Sequence, residues 1–352
     1  MRPSLLIITN QPLPGCAGQV NGFEILVQTG ELDFVQTISF RGVGPQSRTF
    51  YFSDVLRAIA DSTASHVMIW SPGNFPEKAS EFEQLLEVLG TRHLIVWEGD
   101  AWGRGKPIRE CMRLWLKRAD TIFTVAGDPQ TTLLRQAGAK NIYRTYHTYC
   151  HVTFSKYEHH IATHTNSLVT LIGANCMRVP FPYFTGMPGS WQRRRLALSL
   201  KRTLGEGFHV YGKGWSKSIA DGPLDFALQI DAINDSRLSV NWDHFATYYD
   251  YFSDRLPISM LAGRPHVTSA HPGMEWAPDG TNGLYQEATV SGVIERTLSL
   301  LDENPEALMN RGVQLHSWVN NRLSHRQAAR HMMSIVSDKV RPVGMDPWSL
   351  LI

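Results

Sequence analysis

The 352-residue chain is poor in the markers of several common architectures and chemistries. Its four cysteines, Cys16, Cys111, Cys150 and Cys176, stand far apart without CxxC spacing, so neither a zinc site nor a disulfide framework is suggested and buried thiols are expected. No apolar run approaches the roughly 20 residues that cross a bilayer. Met1-Arg2-Pro3 leads straight into Ser4–Thr9, a stretch too short and too close to proline for a secretory leader, so a soluble cytoplasmic protein is expected. Low-complexity tracts and repeats of 20–50 residues are missing too. What remains is ordinary globular composition, 43% hydrophobic and 19% charged with 28 glycines, and length for two domains. Disorder, collagen and coiled coil are excluded.

The net charge of +2 hides an uneven distribution. Residues 101–150 carry nine Lys/Arg against three acidic groups, residues 178–217 eight against one, and residues 218–310 only four against fourteen. One face is therefore expected to be basic, as a surface that meets a polyanion would be; solvated helix faces that cluster by chance are the plain alternative.

Short apolar runs at Leu5–Thr9, Phe34–Phe40, His66–Ser71, His93–Glu98, Thr121–Ala126 and Ile142–Tyr146 alternate with amphipathic stretches such as 53–60 and 77–89. That rhythm predicts a parallel sheet wrapped by helices. After a polar, His-rich connection over 151–167, the rhythm resumes with strands at Leu168–Gly173, Phe208–Gly212 and Leu238–Trp242. Helices are expected at Gln192–Leu204, Asp254–Ala262, Ser291–Leu301, Pro305–Asn320 and His325–Val340. The expected organisation is α/β: a Rossmann-like domain over 1–150, a linker over 151–167, a second over 168–335 and a tail over 336–352. Two doubly wound domains imply a central cleft faced by the carboxyl ends of both sheets, where such folds bind ligands.

The loops after strands are therefore where chemistry is sought. The first strand is followed by a loop with Gly15, Gly18 and Gly22, whose amides can approach an anion or a sugar. It lacks the GxGxxG order and the Walker lysine, which argues against dinucleotide or P-loop chemistry. The fourth strand runs into Trp97-Glu98-Gly99-Asp100-Ala101-Trp102, two carboxylates between two indoles. A carboxylate there, partly desolvated by an indole, suits a general base for a hydroxyl nucleophile, Asp100 first and Glu98 second; Asp100 equally suits a helix cap. In the second half, Gly173 ends a strand and Arg178 follows, a pairing that can hold a pyrophosphate. Phe181-Pro182-Tyr183-Phe184, Trp191 and Arg193-Arg194-Arg195 interleave aromatics with bases, as surfaces that grip nucleic acid do; Arg104 and Lys106 add to the basic side.

The most specific stretch runs from Tyr248 through Asp254-Arg255-Leu256-Pro257-Ile258-Ser259 to Ala262-Gly263-Arg264-Pro265-His266-Val267. It is followed by Pro272-Gly273, Gly280-Thr281-Asn282-Gly283 and Asn304-Pro305-Glu306. With Tyr211-Gly212-Lys213-Gly214-Trp215 ahead of it, this order over about 168–335 resembles the carboxyl-terminal half of GT-B glycosyltransferases, closest to the spore-maturation-type "glycosyl transferases group 1" branch. The first half is similar in plan to phage DNA glucosyltransferases, with Asp100 at the position of their catalytic base. The resemblance implies a nucleotide-sugar donor, most readily a UDP-sugar, with Arg255 neutralising its diphosphate. That branch commonly has a ribose-binding Glu three residues after this Arg; here Ile258 stands there, leaving Ser259, Asp254 or the 279–284 loop with Asn282 and Gly283 to contact the sugar or ribose. His244, just ahead of the stretch, is a further donor-site candidate.

No D-x-D pair occurs, the histidines read as surface or core groups, and neither a metal nor a cofactor is expected. The leading expectation is a metal-independent glycosyltransferase, inverting or retaining, whose acceptor is a 5-hydroxymethylpyrimidine in phage DNA. The alternatives are transfer to a cell-envelope or spore glycan or to a protein, a sugar-nucleotide epimerase, and a catalytically silent nucleic-acid binder.

Overall fold

Leu5-Leu6-Ile7-Ile8 is apolar at every position, as a strand covered on both faces must be, and in the computed structural model all four are at most 1% exposed. The structure describes residues 2–11, 17–40, 52–103, 106–177, 186–337 and 348. The chain divides into two units, one of Met1–Tyr146 with His325–Ile352 and one of His147–Ser324.

In the first unit six parallel strands, β1 (Leu5–Thr9), β2 (Val35–Ser39), β3 (His66–Trp70), β4 (His93–Glu98), β5 (Thr121–Thr124) and β6 (Ile142–Arg144), form a sheet ordered β2-β1-β3-β4-β5-β6. Helices α1 (Ala17–Gln28), α2 (Phe52–Asp61), α3 (Ala79–Leu89), α4 (Glu110–Arg118) and α5 (Gln130–Gln136) connect them. The apolar spacing explains which faces are buried: Val55 and Ile59 on α2, and Phe82, Leu85 and Leu89 on α3. They close over Val67, Ile69 and Val96 with Trp115, whose indole Nε1 donates to the Phe75 carbonyl at 2.8 Å.

The second unit has five parallel strands, β7 (Ser167–Ile172), β8 (Phe208–Tyr211), β9 (Ser236–Val240), β10 (His266–Ser269) and β11 (Leu284–Glu287), ordered β11-β10-β9-β7-β8. Its helices are α6 (Ser190–Leu204), α7 (Gln229–Asn234), α8 (Arg255–Leu261), α9 (Val290–Leu301) and α10 (Pro305–Asn320). Asn304 caps α10 as its sequence predicts: Oδ1 accepts from Glu306 N at 2.8 Å and Ala307 N at 3.3 Å, with Pro305 in the first turn. Both sheets are doubly wound, as the strand rhythm predicts. Among the described residues no helix is long and apolar enough to cross a membrane.

Two boundaries differ from those expected. The 151–167 stretch is not a bare connector: Phe154 and Tyr157 are buried at 0% and 3% exposed, and His316 Nε2 is 2.7 Å from the Tyr157 carbonyl, all within the second unit. The last helix, α11 (His325–Val336), belongs to the first unit rather than the second. It packs on α1 where Gly22 permits close approach; a Cβ there would lie 2.7 Å from the His325 carbonyl oxygen and 3.2 Å from Ala329 Cβ. Arg330 Nη2 reaches Glu31 at 3.4 Å on the same contact. A terminal amphipathic helix carries a period but no address, so its sequence leaves open which half it will cover.

Candidate functional site

Strand β4 ends at Glu98, the backbone leaves the strand at Gly99, and the two carboxylates that follow one another in sequence separate into different surroundings. Glu98 is buried at 2% exposed, while the Asp100 side chain is 60% exposed. Glu98 Oε1 accepts from Asp100 N at 2.8 Å, and Lys106 Nζ lies 2.7 Å from Asp100 Oδ2 and 5.0 Å from the Trp102 ring centroid. The desolvated carboxylate is thus Glu98, where the indole argument anticipated Asp100. Burial first, and then the Asp100 charge, push Glu98 up to about 8.

Gln130, for which the sequence offers no signal, holds this loop. Its Nε2 donates to the Asp100 carbonyl at 3.0 Å and its Oε1 accepts from Trp102 N at 2.8 Å, which fixes the amide orientation. Nothing in a Gln after Pro129 announces a fully buried side chain. Ser71, which follows β3, sits at φ 47° with its N donating to the Trp97 carbonyl at 3.0 Å, a strained conformation at the carboxyl end of the sheet.

A proton held in the fold up to about pH 8, against an ordinary value of 4.5, makes stability fall as pH rises between those two values, since the unfolded chain releases it earlier. Glu98→Gln keeps the acceptor for Asp100 N and removes the titration. The parent is therefore expected to lose a few degrees of Tm from pH 5 to 9 that the variant keeps; parallel Tm profiles by calorimetry would refute the assignment.

In the second unit the loops after β7, β8, β9 and β10 are tied to one another. Gly212, at φ 146°, lies so flat against the β7 loop that a Cβ would meet the Gly173 carbonyl oxygen at 2.4 Å, and Trp215 Nε1 donates to that same oxygen at 2.7 Å. Asp243, 1% exposed, accepts from Ser253 Oγ at 2.7 Å and Asn241 Nδ2 at 2.9 Å, and His271 Nε2 stands 3.4 Å from its other oxygen. Burial alone would raise this carboxylate; His271, the Ser253 hydroxyl and Arg193 bring it below its ordinary range. Asp250 takes φ 54° with its Oδ1 accepting from Trp276 Nε1 at 3.1 Å. Among the described residues these two, Ser71 and Asp250, are the non-glycine residues at positive φ, and both follow strand ends.

Arg255 opens α8. Its side chain is 33% exposed, Nη1 stands 3.5 Å from the neighbouring Asp254 carboxylate, and its buried Nε has no hydrogen-bond partner among the described residues. A guanidinium with one open nitrogen at a strand-end loop can receive an anion. Gly173, Asp254, Arg255 and His244 all sit in these loops or at their helix starts.

Other expected site residues stand elsewhere. Arg193 is 1% exposed and hydrogen-bonded inside the protein, so it cannot meet a nucleic acid; the apolar face of α6 carries it inward with Leu196, Ala197 and Leu200. His244 has both ring nitrogens engaged, Nε2 with Arg193 at 2.8 Å and Nδ1 with the Pro188 carbonyl at 3.0 Å, which removes it from the groups open to a ligand. Ser259 is buried, 5% exposed, as is the rest of α8 after Arg255. Asn282 Nδ2 turns to Asp279 Oδ1 at 3.3 Å, and Gly283 closes the same turn at φ 93°. That turn borders a cavity of about 840 Å³ whose lining includes Tyr285, Glu287, Arg296 and Arg311 but neither Asp254 nor Arg255. Gly18 lies in the first turn of α1, and Lys106 is committed to Asp100. Gly15, Arg104 and Arg178 lie outside the described residues. Among the described residues no three His, Cys, Asp or Glu side chains are grouped to hold a metal ion.

Two parallel sheets with flanking helices, each with its polar loops at the strand carboxyl ends, define the GT-B glycosyltransferase fold, and solved structures of that class match the chain almost end to end. An alpha-glucosyltransferase in complex with UDP and a 13-mer DNA containing an HMU base shares 10% identity and a TM-score of 0.64, covering 96% of this chain and 100% of that one. HepE of Anabaena, in complex with UDP and glucose, shares 11% identity at TM-score 0.59 over 96% and 100% of the two chains. Sucrose-phosphate synthase of Thermosynechococcus elongatus shares 10% at TM-score 0.54 over 96% and 99%. No protein-family model matches the chain, and no curated protein matches it in sequence.

Proposed function

We propose that the protein is a nucleotide-sugar-dependent glycosyltransferase that needs no metal and transfers a sugar to the hydroxyl of a 5-hydroxymethylpyrimidine in DNA. Asp100 takes the acceptor proton; the oxygen attacks the anomeric carbon as the bond to the diphosphate breaks; Arg255 stabilises the departing diphosphate. The observation that carries this reading is Arg255, a half-open guanidinium with an unsatisfied buried nitrogen at the start of α8. The UDP and UDP-glucose complexes among the GT-B structures that match the fold support the donor class.

The DNA acceptor rests on charge and exposure. Helix α6 contains no acidic residue, and Arg194, Arg195 and Arg202 make no ion pair among the described residues. Trp191, 58% exposed, falls on one stripe with Arg195 and Arg202, since offsets of four and eleven residues return nearly to the same helical face. An aromatic among such guanidiniums suits a phosphate backbone with an unstacked base. A neutral glycan acceptor carries no charge for that stripe to neutralise.

The deciding experiment incubates the protein, in EDTA, with nucleotide sugars and with hydroxymethylated or unmodified DNA, then weighs the nucleosides by mass spectrometry. A hexose or pentose adduct on hydroxymethylated nucleosides alone is expected. Donor hydrolysis without adduct points to another acceptor, epimerised donor to the epimerase, and DNA binding without turnover to a silent binder. Reversing Arg194 and Arg195 to Glu is expected to weaken DNA binding irrespective of sequence and to flatten its salt dependence by about one unit for each phosphate that is no longer neutralised. Parent binding that ignores salt would sink the DNA reading.

A further inference from the structure

The strongly basic group that α6 turns inward, Arg193, makes no ion pair with a carboxylate among the described residues. Arg193 Nε donates to the Trp242 carbonyl at 2.9 Å, and Nη1 to the Ala174 carbonyl at 3.2 Å and to His244 Nε2 at 2.8 Å. A guanidinium only donates, so His244 Nε2 is the bare nitrogen and the ring proton sits on Nδ1, facing the Pro188 carbonyl at 3.0 Å. Burial, and then Arg193 itself, push His244 down to about 3, which keeps it neutral.

Among the described residues, all of the direct hydrogen-bond partners of this buried cation are therefore uncharged. Asp243, the carboxylate whose charge reaches it, is already shared by Asn241, Ser253 and His271. Burial and, next, the charge of Arg255 push Arg193 down to about 10, so the two cations oppose one another. A charge buried among neutral acceptors is a costly arrangement that a nearby anion relieves. Its place is specific: Ala174 belongs to the loop after β7, Trp242 to the loop after β9, and a Cβ on Gly173 would come 3.2 Å from Nη1.

We infer that Arg193 is a positioning residue for the donor diphosphate, a buried second cation that acts through the β7 and β9 loops it holds and reinforces Arg255 without touching the ligand. The inference rests on the nucleotide-sugar reading and adds to it a residue that the ligand never contacts. Arg264 supplies the internal control. It is equally buried, 1% exposed, and its Nη2 likewise donates to carbonyls, those of Ala162 at 2.9 Å and Asn234 at 2.8 Å, but it precedes β10 and so stands at the amino end of the sheet.

The test compares a nucleoside diphosphate with its uncharged nucleoside, using UDP and uridine together with the guanine and adenine pairs, by titration calorimetry on the full chain. In the parent the diphosphate is expected to bind more tightly than the nucleoside. Arg193→Met is expected to cut that preference about tenfold with nucleoside affinity unchanged, and Arg193→Lys, which keeps the charge, to retain most of it. Arg264→Met is expected to lower Tm and leave the preference intact. Equal losses for UDP and uridine in Arg193→Met would reduce Arg193 to a structural brace and overturn the inference. Should that variant not fold, a preference lost in a folded Arg193→Lys overturns it as well. A parent with no preference for any diphosphate overturns the donor reading too, an outcome distinct from a parent that prefers UDP and an Arg193→Met that prefers it equally.

Discussion

Asp100→Asn is expected to lower sugar transfer by about 10²–10⁴-fold while donor affinity stays at the parent value, because the amide keeps the shape and hydrogen bonding of the carboxylate but cannot take a proton. The side chain is 60% exposed at the end of β4, and Lys106 occupies one of its oxygens at 2.7 Å, leaving Oδ1 without a hydrogen-bond partner among the described residues. Exposed pairs of this kind contribute about 0–1 kcal/mol, so the Tm of the variant is expected to match that of the parent and the loss is one of chemistry. Single-turnover rates together with donor titrations separate the two effects. Full transfer in Asp100→Asn with none in Glu98→Gln would move the base two residues back. That outcome would require the buried Glu98 to be reached by the acceptor, against its 2% exposure.

Arg255→Ala is expected to reduce kcat by about 10²–10³-fold, the usual cost of removing one preorganised donor from a developing anion. UDP affinity is expected to fall by about 1.5–3 kcal/mol, as when a charge-assisted hydrogen bond is removed. Arg255→Lys restores only part of this, since an ammonium lacks the planar fork and the Nε that lies buried and unsatisfied in the parent. The fold is expected to hold, because the ion pair of Arg255 is with its own neighbour Asp254 at 3.5 Å and one-third of the side chain is in solvent. The check is a donor titration beside the transfer assay. Unchanged kcat and unchanged UDP affinity would remove Arg255 from the donor site and with it the observation on which the proposed function stands.

The strand rhythm was legible because a parallel strand buried on both faces has to be continuously apolar, as Leu5–Ile8 and Leu94–Trp97 are. Helices α2, α3 and α10 announced themselves by three- and four-residue spacing or by the Asn304-Pro305 cap. The stretch from Tyr248 to Val267 carried the resemblance to the GT-B class, and the structures that match the fold belong to that class. Helix α1, by contrast, is hidden in the sequence because the glycine-rich run that begins it looks like loop; Gly22 in its middle serves the approach of α11.

The sequence by itself determined the class of fold and the identity of the charged residues delivered to the strand ends. Only the tertiary structure decided what those charges face. A triple arginine reads as one basic patch, yet successive helical residues point about 100° apart, so α6 turns Arg193 into the protein and leaves Arg195 outside. Two carboxylates separated by one glycine read as candidates for one role, Asp100 first and Glu98 second, yet the strand ends between them, and one is buried where the other meets Lys106. Burial and partnership are set by residues far away in the chain, Gln130 for Asp100 and Trp242 for Arg193, and no local spacing encodes contacts of that range.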